Sequence, residues 1–261
     1  MRGLGGIPAT VTLLHGELRV GISEKELEEL ASFPFVQKLG RRDLPLAIVQ
    51  KSTGGTTVSA TMYAAHKAGI DVFSTGGLGG VHRGASETFD VSADLIELSR
   101  TPVAVVCAGV KSILDIPKTL EFLETHGVPV VVFGDSDEFP GFYTRKTAFR
   151  TGYSSASEEE IARAIVAKKR LGHSNGLLVA CHPTSDVQTA DIEGAIEEAL
   201  EKAGSQNITG KPVTPFLLDA IRQKTGGTSL DASAALLHDS CVAATKIAKS
   251  LLEVESQTTD K

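Results

Sequence analysis

The chain has 261 residues, of which 41% are hydrophobic and 22% are charged, an ordinary composition for a globular protein of one or two domains. The formal net charge of -6 argues against a broad nucleic-acid-binding surface, although it leaves room for a local basic pocket that binds phosphate. No apolar run approaches the roughly 20 residues that span a bilayer and no cleavable signal is evident, so we expect a cytoplasmic protein with neither nucleic-acid nor membrane partners.

The first quarter of the sequence predicts a hairpin and short elements that lead to a helix of small residues. The segments ATVTLL and LRVG flank a His-Gly turn and are typical of a β-hairpin. Ser23 and Glu26 form a capping-box pattern for a helix, and the short apolar segment 35–39 that follows predicts a strand. The segment GGTTVSATMYAAHKAG predicts a glycine turn and a helix capped by Thr56 or Thr57. The amino end of that helix either packs closely on the sheet or seats a phosphate.

The rest of the chain is organised around residues 72–111, where a glycine-rich loop and charged side chains lie between two apolar runs. Glycine allows tight turns and brings backbone N–H groups close to an anion. The second apolar run, 102–108, places Lys111 just beyond its carboxyl end. We therefore expect two strand ends to meet at one crevice, the usual position of a ligand in an open α/β sheet. Alternatively, the glycines only form turns and Lys111 begins a surface helix.

After this segment, apolar runs alternate with helical patterns. We predict a helix from Ser112, strands at VPVVVF and GLLVACHP, and a last helix over about 230–254. The segment 134–150 is a loop with aromatic and cationic residues that borders the site or closes over it. This alternation indicates a three-layer α/β/α fold with a mixed, mostly parallel sheet. We expect a single domain over 1–253 and a polar C-terminal tail over 254–261.

Three isolated cysteines, Cys107, Cys181 and Cys241, lie in separate apolar segments. The sequence contains no CxxC pair and no Cys/His spacing typical of a metal site. The cysteines therefore indicate reduced, structural thiols in a cytosol-like compartment.

The motifs of the central segment resemble those of a known enzyme family. GGLGGVHRGASETFDVSADL followed by CAGVKSILD is similar to the pattern of pseudouridine-5'-phosphate glycosidase, the family also called indigoidine synthase A-like. The likeness extends from IPAT through GRRDLP and GGTTVSATM to TPFLL, so it covers nearly the whole chain. It implies reversible cleavage of pseudouridine 5'-phosphate to uracil and ribose 5-phosphate by a homotrimer.

The resemblance further implies that Lys111 is the covalent catalytic residue. The substrate joins uracil to ribose through a carbon-carbon bond, for which ordinary glycosidase chemistry is poorly suited. A lysine amine can instead form an iminium, or Schiff base, at C1' of the opened ribose.

The same matching implies a metal site and a set of substrate contacts. Asp90 corresponds to the family's ligand for manganese, with one divalent ion per subunit, because a carboxylate with waters suits a hard cation that also meets phosphate. Taken alone, Asp90 is equally suited to cap a helix. The implied substrate-binding residues are Lys38, Val58, Ser92, Ala93 and Asp94.

Two departures from the family pattern bear on activity. The family carries, upstream of IPAT, a segment resembling ALESTIISHG whose glutamate donates a proton, and the chain shows no counterpart. This predicts a truncated coding sequence or a different proton donor. An asparagine-rich stretch resembling SNIALVLNNA is here ASAALLHDSC, with Ser233, Asp239 and Ser240 at the asparagine positions. We expect altered hydrogen bonds to uracil or to a neighbouring segment, because an ionised aspartate cannot donate.

Other functions compete with this interpretation. A lysine-dependent aldolase on another sugar phosphate would release a small aldehyde instead of uracil. A truncated or degenerate homologue would bind a sugar phosphate without turnover. An NAD-linked oxidoreductase is disfavoured, because the GxGxxG spacing that starts at Gly77 and Gly79 ends on His82.

Overall fold

The computed structural model describes residues 1–145, 147–184, 190–210 and 212–259. The strands are β1 Val11–Leu14, β2 Glu17–Val20, β3 Gln37–Leu39, β4 Gly54–Thr56, β5 Val72–Ser74, β6 Val81–His82, β7 Ala104–Cys107, β8 Leu114–Asp115, β9 Val130–Phe133, β10 Ser154–Ser155 and β11 Leu177–Cys181. The helices are α1 Glu24–Ser32, α2 Leu44–Val49, α3 Val58–Lys67, α4 Ala85–Thr88, α5 Ala93–Leu98, α6 Ile116–Thr125, α7 Glu158–Arg170, α8 Ala190–Ser205, α9 Val213–Lys224 and α10 Thr228–Thr259.

The larger sheet is entirely parallel and has the strand order β10-β9-β11-β7-β5. Its central strands are the β-branched runs of the sequence, and Val105 of β7 pairs with Leu178 of β11 and with Phe73 of β5. Strands that are covered on both faces are expected to be continuously apolar, as β7 and β11 are. The carboxyl ends of β5 and β7 are therefore adjacent.

A second, smaller sheet has the order β2-β1-β4-β3. In this sheet β1 pairs antiparallel with both β2 and β4, whereas β3 and β4 are parallel. The predicted α/β class is confirmed; the smaller sheet mixes parallel and antiparallel pairs, whereas the larger sheet is parallel throughout. A third, two-stranded pairing joins β6 to β8.

Helices cover both faces of the parallel sheet, which confirms the predicted three layers. Alternate residues of each strand point to opposite faces. Val105 and Leu178 pack in a cluster that includes residues of α5, α6, α8 and α9. Val106 and Val179 pack on the other face, in a cluster that includes residues of α7 and α10.

Two predicted helix boundaries were wrong. The helix expected from Ser112 begins at Ile116, because the Asp115 carboxylate caps it by accepting the Lys118 N–H at 3.1 Å. The last helix, α10, continues to Thr259 and thus includes most of the predicted tail, of which residues 260–261 lie outside the described part. No helix in the described ranges is long and apolar enough to cross a membrane.

Candidate active site

A cleft of about 840 Å³ lies between the two main sheets. One wall comes from β3, β4 and the start of α3, and the opposite wall comes from the loops that follow β5 and β7. All residues that the sequence analysis assigned to a site line this cleft, namely Lys38, Val58, Asp90, Ser92, Ala93, Asp94 and Lys111. The expected meeting of two strand ends at one crevice is confirmed.

The glycines of the central loop are required by close contacts more than by turns. A Cβ atom at Gly79 would collide with Ser92 Oγ and the Asp94 carboxylate, and a Cβ at Gly77 would collide with the Phe142 ring. The Gly79 N–H donates to Asp94 Oδ2 at 3.1 Å, so this amide binds a carboxylate of the protein itself and not an anionic ligand. The loop therefore packs tightly against α5.

Asp94 is 5% exposed and bridges three parts of the cleft wall. Its Oδ1 accepts the Ser59 N–H of α3 at 2.9 Å, while Oδ2 accepts the Gly79 N–H of the glycine loop. Asp94 itself lies in the first turn of α5, where its own N–H donates to the capping Ser92 Oγ at 3.3 Å. The carboxylate thus fixes the relative positions of α3, α5 and the loop.

His82 lies at the centre of a charged cluster in the cleft. Its imidazole Nδ1 is 3.8 Å from Asp90 Oδ2, and its backbone N–H donates to the Asp90 backbone carbonyl at 3.0 Å. Burial lowers the pKa of the His82 imidazole; the Asp90 charge opposes this shift, whereas the Lys38 and Lys111 charges add to it. His82 is therefore harder to protonate than an exposed histidine.

The donor set around Asp90 fits a divalent ion that takes most of its ligands from water and substrate. Ser92, and not Asp90, caps α5, and Asp90 is one of the residues that line the cleft. In the ranges that the structure describes, no group of three or more His, Cys, Asp or Glu side chains could hold a metal. One carboxylate with water and phosphate oxygens is a common arrangement for small hard cations.

Lys111 is held at the cleft by its backbone. Its N–H donates to the Leu78 carbonyl at 3.1 Å, and the Leu78 N–H donates to the Gly109 carbonyl at 2.9 Å. Lys111 is half-buried and precedes a turn, so it does not begin a surface helix. These bonds join the glycine loop to the carboxyl end of β7 and direct the lysine into the cleft.

Comparison with known proteins identifies the family. The family model described as indigoidine synthase A like protein matches residues 1–250. The chain belongs to the indigoidine synthase A-like family. It is 48% identical over 254 residues to pseudouridine-5'-phosphate glycosidase of Geobacillus kaustophilus, a match that covers 96% of this chain and 84% of that protein. Pseudouridine-5'-phosphate glycosidase 2 of Rhizobium johnstonii is 50% identical over 250 residues, or 95% of this chain and 81% of that one.

Solved structures of similar proteins share the whole fold. The crystal structure of the prealnumycin C-glycosynthase AlnA in complex with ribulose 5-phosphate has a TM-score of 0.90 and 34% identity, and the match covers 98% of this chain and 85% of that one. An indigoidine synthase A-like protein from Thermotoga maritima has a TM-score of 0.86 and 36% identity, with 95% and 82% of the chains covered.

This indigoidine synthase A-like chain also contains a buried charge cluster that the sequence analysis missed. Glu97 is fully buried; its Oε1 lies 2.7 Å from Arg41 Nη1 and accepts from Thr101 Oγ1 at 2.5 Å, and its Oε2 lies 2.8 Å from Arg100 Nη2. Arg41 also stacks over the Tyr63 ring, with Cζ 4.5 Å from the centroid. Arg41 and Glu97 are distant in sequence, so no local pattern indicates that they pair. The cluster attaches the turn after β3 to α5.

The aromatic loop 134–150 borders the cleft, as one of the two alternatives predicted. Phe142 lines the cleft, and the hydroxyl of the buried Tyr143 lies 3.1 Å from Ser233 Oγ and 3.4 Å from the Ser229 carbonyl, both in α10. Of the three positions where the family pattern has asparagine, Ser233 lines the cleft. The Asp239 carboxylate instead accepts the Thr184 hydroxyl at 2.8 Å, and Ser240 is fully buried.

Proposed function

We propose that this chain is a pseudouridine-5'-phosphate glycosidase, which interconverts pseudouridine 5'-phosphate and water with uracil and ribose 5-phosphate. Relatives of that name are about half identical over most of the chain. The observation that carries the proposal is that Lys111 faces the same cleft as every other residue that matches the family's functional positions. The ribulose 5-phosphate complex of the C-glycosynthase supports a pentose-phosphate ligand for this fold.

In this proposal Lys111 supplies the nucleophile. Its amine displaces the ring oxygen O4' at C1', so that the N–C1' bond forms as the C1'–O4' bond breaks, and O4' takes up the proton that the nitrogen loses. The C1'–C5 electron pair then leaves with uracil, which gains a proton at C5. The nitrogen lone pair forms the C1'=N bond of an iminium, and water hydrolyses it to free Lys111 and ribose 5-phosphate.

The other cleft residues bind and orient the substrate in this proposal. Lys38 supplies a positive charge for the phosphate, and Val58 contributes its backbone at the start of α3. The Ser92 and Ala93 positions present the start of α5 to sugar oxygens. Asp94 orients the substrate-binding wall, because its carboxylate accepts the backbone N–H groups of Ser59 and Gly79 and fixes their positions.

We propose that Asp90 binds one Mn²⁺ ion, which when bound neutralises negative charge on the phosphate. Titration of the protein with Mn²⁺, followed by electron paramagnetic resonance of the free ion, tests this site independently of activity. Asp90→Asn should weaken Mn²⁺ binding at least about tenfold, because the only carboxylate ligand is lost. Asp219→Asn, at an exposed surface pair with Arg222, is the matched control. Equal binding by both variants would contradict the assignment.

We also propose the homotrimer that the family resemblance implies. Light scattering should then report three times the mass of one chain at micromolar concentration. A monomer or a dimer under the same conditions would contradict this proposal.

Condensation of uracil with ribose 5-phosphate tests the reaction itself. Wild-type protein should form pseudouridine 5'-phosphate, whereas Lys111→Arg, which keeps the charge, should lose at least about a thousandfold in rate. Release of a small aldehyde from another sugar phosphate, without uracil chemistry, would favour an aldolase. Saturable binding of ribose 5-phosphate with no product would favour a binding protein.

A further inference from the structure

We propose that Tyr143 and Ser233 form a latch that holds the Phe142 ring against Gly77 and so sets the direction in which Lys111 enters the cleft. The Tyr143–Ser233 latch is a positioning device, and neither residue takes part in bond making. The inference rests on the proposed function, because Lys111 is the nucleophile there.

Phe142 has an unfavourable backbone conformation. Its backbone has φ 71°, in the left-handed region that a bulky residue rarely adopts. The residue is nevertheless 5% exposed and lines the cleft. An unfavourable backbone conformation persists where the surrounding structure enforces it, and such positions concentrate near functional sites.

The Phe142 ring and the Lys111 side chain lie against the same face of Gly77. A Cβ atom built on Gly77 would collide with the Phe142 ring and would lie 3.2 Å from Lys111 Cγ. The aliphatic stem of Lys111 therefore passes beside the ring, in the space that the missing Gly77 side chain leaves open. A movement of the ring would open this space and release the lysine stem.

Tyr143 is the group that keeps Phe142 in place. The two rings meet edge to face with centroids 4.6 Å apart. The Ser233 hydroxyl donates to the Ser229 carbonyl at 2.7 Å. The Tyr143 hydroxyl lies 3.1 Å from Ser233 Oγ and donates to the Ser229 carbonyl at 3.4 Å, so both of its partners are on α10. Tyr143 is 3% exposed, and this contact attaches the aromatic loop to α10 at the edge of the cleft.

The latch has a kinetic consequence. Formation of the C–N bond requires the amine to approach the aldehyde carbon within a narrow range of directions, and a misplacement of about 1 Å can cost as much as about a hundredfold in rate. The latch should therefore affect the rate of the covalent step more than the affinity for the sugar phosphate.

The test measures the rate at which cyanoborohydride traps ribose 5-phosphate on Lys111. Tyr143→Phe should lower the maximal trapping rate about tenfold, and Ser233→Ala should lower it about threefold because the Ser229 carbonyl still accepts the Tyr143 hydroxyl; half-saturation should change less than about twofold in both variants. Ser233→Thr retains the hydroxyl and should restore most of the rate. Tyr153→Phe is the matched control, since Tyr153 is 73% exposed. Wild-type rates in Tyr143→Phe and Ser233→Ala would overturn the proposal, as would equal losses of rate and half-saturation.

A second measurement does not depend on the proposed function. Reductive methylation with formaldehyde, followed by peptide mass spectrometry, reports the accessibility of each lysine. Tyr143→Phe should speed methylation of Lys111 severalfold and leave the exposed Lys25 unchanged. If the wild-type protein traps no ribose 5-phosphate, the proposed function fails, and this measurement alone decides the latch. Unchanged methylation of Lys111 would then overturn it.

Discussion

The two walls of the cleft are supported very differently. Lys111 follows β7 of the parallel sheet, where Val105 and Val106 are fully buried between two helical layers. Lys38 lies on β3 of the smaller sheet, whose buried cluster consists, among the described residues, of Leu13, Leu39 and Ala47. The proposed nucleophile Lys111 is thus supported by a large hydrophobic core, whereas Lys38, a proposed substrate contact, is supported by a small one. This difference predicts that damage to each core will have a different signature.

The Arg41–Glu97 pair links the two walls, and its loss should lower the unfolding free energy more than any other change considered below. Glu97→Gln removes a buried charge from between Arg41 and Arg100, and we expect a loss of about 4 kcal/mol in unfolding free energy. Urea unfolding measures the loss. Glu159→Gln breaks an exposed pair with Arg163 and should cost only about 0.4 kcal/mol. Similar costs for the two variants would show that the buried cluster does not join the walls.

Truncation in the parallel sheet should affect stability without affecting substrate affinity. Leu178→Ala opens a cavity beside β7 and should lower the unfolding free energy by about 3 kcal/mol. The KM for ribose 5-phosphate should stay near the wild-type value at temperatures where the variant is folded. A large rise in KM would mean that the parallel sheet also controls the opposite wall.

Truncation in the smaller sheet should do the reverse. Leu39→Ala should cost about 2 kcal/mol, because this core is small, and should raise the KM for ribose 5-phosphate several times. Leu39 lies between Lys38 and Gly40, and its side chain packs in the small core beside Gly54 of β4, so its truncation loosens the Lys38 wall. An unchanged KM beside a reduced kcat would contradict the division of roles.

Much of this arrangement could be predicted from the sequence, because it is encoded locally. Runs such as VPVVVF and GLLVACHP indicate buried strands, and the capping box at Ser23 and Glu26 is present in the structure. The position of Lys111 beyond a strand end follows from the same patterns.

The rest depends on contacts between distant residues. The smaller sheet depends on β1 pairing with β4, which no local pattern specifies. The Arg41–Glu97 pair joins residues 56 positions apart, and Gly77 is needed because the Phe142 ring approaches it. The prediction of a helix from Ser112 was wrong because residues 114–115 form β8, which pairs with β6, and Asp115 caps α6.

The reactivity of the three cysteines reports local opening of the cores, and it should show the smallest effects. Burial raises the pKa of the Cys107 thiol to about 12 and also raises the pKa of Cys181, so both remain protonated at pH 8. Iodoacetamide should label the half-buried Cys241 and leave Cys107 and Cys181 unmodified in the native protein. Leu178→Ala should speed labelling of Cys107, whereas Leu39→Ala should not. Equal labelling in both variants would show that the two cores open together.

The most direct test of the whole account is the site of the covalent bond. Wild-type protein incubated with ribose 5-phosphate and cyanoborohydride should gain the mass of one reduced sugar phosphate, located by peptide mass spectrometry on Lys111, and Lys111→Ala should gain none. Attachment to Lys38, or equal attachment in Lys111→Ala, would contradict the account.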